Sequence, residues 1–191
     1  MTTRPESSAA TGGLRPPRAA LTAEVRRLEE ELGRAQRELL AQGGDVLPGL
    51  HLLVETVGLR ALLGAGRVSE VVRLVSTVPL AGAGPHVLGT FVCRGTPVVA
   101  VDLAALLGIA REPSLDAQIA VVPGAPTIGL VVDRVDRLVD GPRLFHGDAQ
   151  AGTPDAWRGS PLVAGLCLHG GEVVPLIDPG PLAAGLAEPR S

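Results

Sequence analysis

From residue 46 onward, short apolar runs of Val, Leu, Ile and Ala alternate with breaks that contain Gly and Pro. That pattern predicts an all-β domain, because branched side chains in short runs bounded by turn formers fit a pleated, half-buried surface. Residues 20–42, ALTAEVRRLEEELGRAQRELLAQ, follow a different period. Leu21, Val25, Leu28, Leu32, Ala35 and Leu39 are spaced 4, 3, 4, 3, 4, a heptad seam over nearly three heptads. The spacing predicts an amphipathic helix with Thr22 as its cap and Gly43-Gly44 as its stop. Gly33 weakens that helix by about 1 kcal/mol relative to Ala. Such a helix either packs on its own domain or pairs with a second copy, and the residues leave both open. Residues 1–19 are polar, aperiodic and interrupted by Pro and Gly, which predicts a disordered tail. The chain is thus expected to divide into a tail (1–19), a helical segment (20–44) and a β domain (46–187).

The β part carries an internal repeat. RVSEVVRLV (67–75) and VVDRVDRLV (131–139) share V-x-x-V-x-R-L-V in register, offset by 64 residues. GTPVVAVDL (95–103) and GEVVPLIDP (171–179) each place Gly seven residues before Asp, offset by 76. The second copy therefore holds about twelve extra residues, which are expected to fall in a loop, 141–161. Two similar β lobes in one continuous fold are expected, each a small barrel, since closure protects strand edges. Asp102 and Asp178 end the matching strands. Asp102 precedes LAALLG and Asp178 precedes Pro179, so both are expected to cap short helices.

Composition narrows the function classes. Hydrophobic residues make up 46% of the 191, enough for a real core, but aromatics are only 2% and tyrosine is absent. The core must be aliphatic. Net charge is −3, and all 17 basic residues are arginines scattered along the chain. With no basic stripe and few rings for bases to stack on, nucleic-acid binding is not expected. The longest uncharged run, Leu74 to Cys93, is broken by Pro79, Gly82, Gly84, Pro85 and Gly89. It reads as strand, turn and strand rather than a membrane span. Cys93 and Cys167 both sit inside apolar runs and are expected as free, buried thiols.

Catalytic constellations are missing from the sequence. His51, His86, His146 and His169 are far apart, and there is no C-x-x-C, so zinc spacing is absent. No G-x-S-x-G elbow, P-loop or dinucleotide fingerprint occurs. Asp133 and Asp136, three apart at a strand end, read as a solvated face. An enzyme built on Cys93 or on the Asp102/Asp178 pair is the weaker alternative. A binding module fits better: apolar surface with a few polar anchors. Arg94, at the tip of the otherwise apolar hairpin FVCRGTPVVAVDL, and Glu70, inside VSEVV, are the candidate anchors. Arginine presents a rigid donor fork and is enriched at interaction hot spots.

Four motifs in order resemble the chemotaxis coupling protein (CheW-like) domain family: GRVSEVVRLV, VPLAGAGPHVLGTFVCRGTPVVAVDLAALLG, GLVVDRVDRLVD and LVAGLCLHGGEVVPLIDPGPL. The resemblance runs through residues 50–187. It implies a double five-stranded β-barrel and a non-catalytic adaptor in signal transduction, with no cofactor. The implied partners are the cytoplasmic helical tip of a chemoreceptor and the regulatory domain of a CheA-type histidine kinase. The implied location is cytoplasmic, at receptor arrays, without membrane insertion. Carried over residue by residue, the receptor-binding positions are Val68, Glu70, Gly89, Arg94 and Val135. Departures from the family pattern are Val92 in place of Asn, Pro97 placed early in its strand, and Glu55 at an apolar position of the first strand, HLLVETVGLRALL (51–63). They imply a divergent paralogue. The alternative is a structural or dimerising paralogue, joined through the 20–42 helix, that has lost receptor coupling.

Overall fold

In the computed structural model the described residues are 46–146 and 153–187, together with Glu24, Arg27, Leu28 and Glu31. The chain divides into two units, 1–42 and 43–191. In the first unit the four described residues are helical. Arg27 lies 2.7 Å from Glu24 and 3.8 Å from Glu31, the (i, i+3) and (i, i+4) neighbours of a helix surface. The expected tail and the rest of the expected helix lie outside the described residues.

The second unit is mostly β. Its strands are β1 (Leu50–Thr56), β2 (Leu59–Gly64), β3 (Glu70–Arg73), β4 (Val87–Cys93), β5 (Thr96–Asp102) and β6 (Gln118–Val122), followed by β7 (Ile128–Val132), β8 (Arg134–Asp140), β9 (Arg143–Leu144), β10 (Val163–His169) and β11 (Glu172–Ile177). Two short helices, α1 (Leu103–Leu106) and α2 (Gly180–Ala187), follow β5 and β11. One sheet has the order β8-β1-β2-β11-β10-β9 and the other β3-β6-β7-β5-β4. Each sheet contains one parallel neighbour pair, β11 with β2 and β5 with β7.

The repeat seen in the sequence falls on matching strands: β3 with β8, and β5 with β11. Topology completes the match. In each sheet an edge strand, a hairpin, a second hairpin and a helix recur in the same spatial order, so β6-β7 corresponds to β1-β2 and β4 to β10. The lobes are not successive halves of the chain. The β3–β7 lobe is inserted whole between β2 and β8, and the other lobe is a permuted copy assembled from both sides of it. Aliphatic side chains alternate accordingly. Odd positions of β6 (Ile119, Val121) point into their own lobe with Phe91, Val98 and Val131. Even positions (Ala120, with Leu130 and Val132 of β7) pack across the seam on Val54, Ala61 and Leu63 of the other sheet. The permuted lobe has its own interior of Leu53, Leu62, Val139, Cys167 and Val174.

Two expectations need correction. HLLVETVGLRALL reads as one strand in the sequence but is the β1-β2 hairpin, because Val57 (φ +47) and Gly58 (φ +75) turn the chain. Val-Gly is a poor sequence signal for that turn, since a branched side chain disfavours positive φ. The extra residues of 141–161 are not simply a loop. They include β9 and a 3-10 turn, Asp155–Trp157, that buries the sole tryptophan in the seam.

Candidate functional site

The β4-β5 connection is a two-residue turn: Cys93 faces Thr96, and Arg94 (φ +47) and Gly95 (φ +84) are both left-handed. Paired positive φ values match the right-handed twist of the strands they join. The position suits Gly or Asn, yet it holds an arginine. The matching turn of the permuted lobe holds Gly170 (φ +60) and Gly171 (φ +84). Arg94 Nε donates to Glu70 Oε2 at 2.8 Å. Its side chain remains 82% exposed, against 21% for Glu70. Glu70 belongs to β3 and Arg94 closes β4, the two outer strands of one sheet. Their contact therefore shows the sheet curling until its edges approach.

Along β3, alternation sends Val68, Glu70 and Val72 to one side. Val68 packs on the seam cluster, as does Val135 from the start of β8. Val72 packs on the interior of its own lobe. Glu70 thus sits between two apolar surfaces. Cys93 lies beside it, and its thiol is pushed up by partial burial and then by the Glu70 carboxylate. Cys167, fully buried, is pushed up to about 11 by desolvation. Both cysteines are free. A thiol held protonated is a weaker nucleophile than a thiolate, so these surroundings do not activate Cys93.

Gly89 is placed differently from the other four sequence-derived positions. It is buried in β4, five residues from Arg94, at φ +136. A Cβ there would lie 2.4 Å from the Val78 carbonyl oxygen. Val78 and Thr90 exchange both backbone bonds at 2.8 Å across this point. Gly89 lets the two chains approach and offers no side chain to a partner.

Asp102 accepts from the Ala104 N–H at 3.1 Å at the start of α1. Asp178 accepts from the Gly180 N–H at 2.8 Å, one residue outside α2, and also pairs with Arg67 at 2.9 Å. Asp102 does more than cap. Only 1% exposed, it accepts at 3.1 Å from Arg111, whose guanidinium also reaches Thr56 Oγ1 at 3.1 Å and Asp133 Oδ1. Asp133 accepts in turn from the Val57 N–H at 2.6 Å. The reading of Asp133 as a solvated face is therefore wrong. Its carboxylate neutralises a part-buried arginine and anchors the strained Val57 turn. Arg111 passed unnoticed in the sequence because its partners come from three distant segments, and no spacing rule connects them.

Among the described residues no cluster of His, Cys, Asp or Glu could hold a metal ion. No described helix is long and apolar enough to cross a membrane.

The CheW-like domain profile matches residues 51–186. No curated protein matches the sequence. Among solved structures, the chain is similar to the scaffolding protein TtCheW from Thermoanaerobacter tengcongensis, with a TM-score of 0.54 and 22% identity over 69% of this chain and 84% of that one. That likeness is one of fold, and it agrees with the paired lobes described above. With the family profile spanning both lobes, the seam and the Glu70–Arg94 pair, the chain belongs to the CheW-like domain family.

Proposed function

We propose that this protein is a non-catalytic adaptor that couples the cytoplasmic helical tip of a chemoreceptor to the regulatory domain of a CheA-type histidine kinase. In that role it works in the cytoplasm at receptor arrays, with no cofactor and no membrane insertion. Its 20–42 segment is a candidate for pairing two copies. The receptor surface consists of Glu70 and Arg94 as polar anchors, flanked by Val68 and Val135 on the seam side. Gly89 supports it from within by holding β4 against Val78.

The observation that carries this reading is the Glu70–Arg94 pair. An ion pair this exposed contributes at most about 1 kcal/mol to folding. A non-glycine residue held at positive φ costs of the order of 1 kcal/mol. The two offset each other, so the arginine brings no net stability that glycine, used in the matching turn, would not. Recognition explains its presence: a guanidinium pre-oriented by Glu70 and mostly in solvent presents free donors to a polar helix surface.

The test is a pull-down of wild type and Arg94→Glu against receptor tip and kinase regulatory domain from the same organism. Wild type is expected to bind both, and Arg94→Glu to lose only the receptor. If wild type binds neither, under conditions where an authentic coupling protein binds both, the adaptor reading fails. The structural-paralogue reading then replaces it.

A further inference from the structure

The chain passes between the lobes twice, from β2 to β3 through residues 65–69 and from β7 to β8 through Asp133 alone. Val68 stands near the end of the first passage, and Val135 lies two residues beyond the second. Both pack on the seam cluster. One strand, β6, reaches both places. At one end its Val121 carbonyl accepts from the Ser69 N–H at 2.9 Å and from Ser69 Oγ at 3.2 Å, next to Val68. At the other end the Gln118 side chain takes over, and its Oε1 accepts from the Val135 N–H at 2.5 Å. Val132, opposite Gln118 on β7, is the last residue before the chain turns at Asp133. Gln118 therefore catches the chain again on the far side of that turn.

An amide is not the residue that packing alone would place there. Alternation sets Gln118 on the seam side of β6, the side of Ala120. The pairs Glu70–Val121 and Arg134–Glu55 occupy matching places in the two lobes, because Glu70 and Arg134 are related by the 64-residue offset. Three residues before Val121 stands Gln118, and three before Glu55 stands Leu52. The permuted lobe thus turns an aliphatic side chain to the seam where the inserted lobe turns an amide. A part-buried amide costs free energy unless its polar atoms are bonded. Here the oxygen is bonded, and its donor is the backbone of Val135.

We propose that Gln118 is a positioning residue for the receptor surface. It acts through Val135, by fixing the backbone that carries this side chain and so the spacing of Val135 and Val68 that a receptor helix must fit. The proposal rests on the adaptor reading. A surface already held in its bound geometry loses less free energy to ordering when the partner arrives. The Asp133 N–H, donating to the Glu55 carbonyl at 2.9 Å, steadies the same turn from the permuted lobe.

The test compares full-length wild type, Gln118→Met and Gln118→Glu. Affinity is measured for the receptor-tip fragment and, separately, for the kinase regulatory domain of the same organism, and Val135 amide exchange is followed in each protein. Met keeps the length of the side chain and removes the acceptor. Glu keeps an acceptor oxygen at the same reach, and Arg73, opposite Gln118 on β3, favours a carboxylate there. Gln118→Met is expected to weaken receptor-tip binding by about fivefold or more, to leave kinase binding unchanged and to speed Val135 exchange. Gln118→Glu is expected to restore all three to wild-type values. If Gln118→Met does not fold, Gln118→Leu, the residue of the matching position, replaces it under the same expectations. Equal loss of receptor and kinase binding would mean general loosening and overturn the proposal, as would failure of Gln118→Glu to rescue. Wild type and Gln118→Met binding the tip alike would overturn the proposal alone. Wild type that binds no receptor tip would overturn the adaptor reading and this proposal with it.

Discussion

At the scale of single residues, the site turns on side chains whose cost and benefit can be compared. Arg94→Ala should change the urea midpoint by an amount equivalent to less than about 1 kcal/mol, because an exposed pair contributes little. Receptor-tip binding should nevertheless drop. A stability loss of several kcal/mol would instead make the pair structural. Gly89→Ala should behave in the opposite way. A Cβ against the Val78 carbonyl, at positive φ, predicts a loss of about 2–4 kcal/mol by denaturant titration. His51 adds a pH dependence. It is 5% exposed, its Nδ1–H donates to the Gly49 carbonyl at 3.0 Å, and burial lowers its pKa. The unfolded chain therefore takes up this proton first as pH falls through about 6.5. The neutral ring's contribution is full above that value and is lost as pH falls toward the lowered folded value. Urea midpoints measured across that window should decline in wild type and decline less in His51→Gln. Equal slopes would show that His51 does not control the dependence.

At the scale of elements, three turns that look independent in the sequence are tied by one side chain. Arg111 joins the β1-β2 turn through Thr56, the β7-β8 junction through Asp133, and the β5-α1 junction through Asp102. Asp102 is fully desolvated, so removing the arginine leaves a buried carboxylate unpaired. Arg111→Met is expected to cost about 3–5 kcal/mol in equilibrium unfolding. Adding Asp102→Asn should recover part of that loss, since a neutral amide tolerates burial better than a lone charge. Additive losses in the double variant would argue against a coupled pair. Strands, the β4-β5 turn and the capping aspartates were legible in the sequence because each depends on neighbours within a few residues. The β1-β2 turn was not, because its left-handed Val57 is held by Asp133 from 76 residues away. The same reasoning separates the site residues. Arg94 stood out as a lone charge in an apolar hairpin, whereas the part played by Gly89 became visible only with Val78 against it.

At the scale of the whole molecule, the inserted lobe and its permuted copy share a seam of fully buried side chains from both sheets. A fragment spanning residues 65–133 holds every strand of the inserted lobe, yet it would expose Leu103, Ala120, Leu130 and Val132. It is expected to lack a cooperative unfolding transition and to bind a hydrophobic dye. Cooperative melting would show that the lobe is autonomous. Trp157 reports on the same seam. Being the sole tryptophan and 1% exposed, it should emit at short wavelength and resist ionic quenchers until global unfolding. Early quenching in mild denaturant would mean that the seam opens before the lobes do.

The all-β class, the repeat, the family and the place of Arg94 at the tip of its hairpin were determined by the sequence alone. Alternation, turn chemistry and an isolated charge are local or periodic signals, written in adjacent residues. The permutation of one lobe, the Arg111 network and the burial of Gly89 were decided only by tertiary structure. Each depends on which distant segments become neighbours, and that follows from how two curved sheets bury their outer faces against one another.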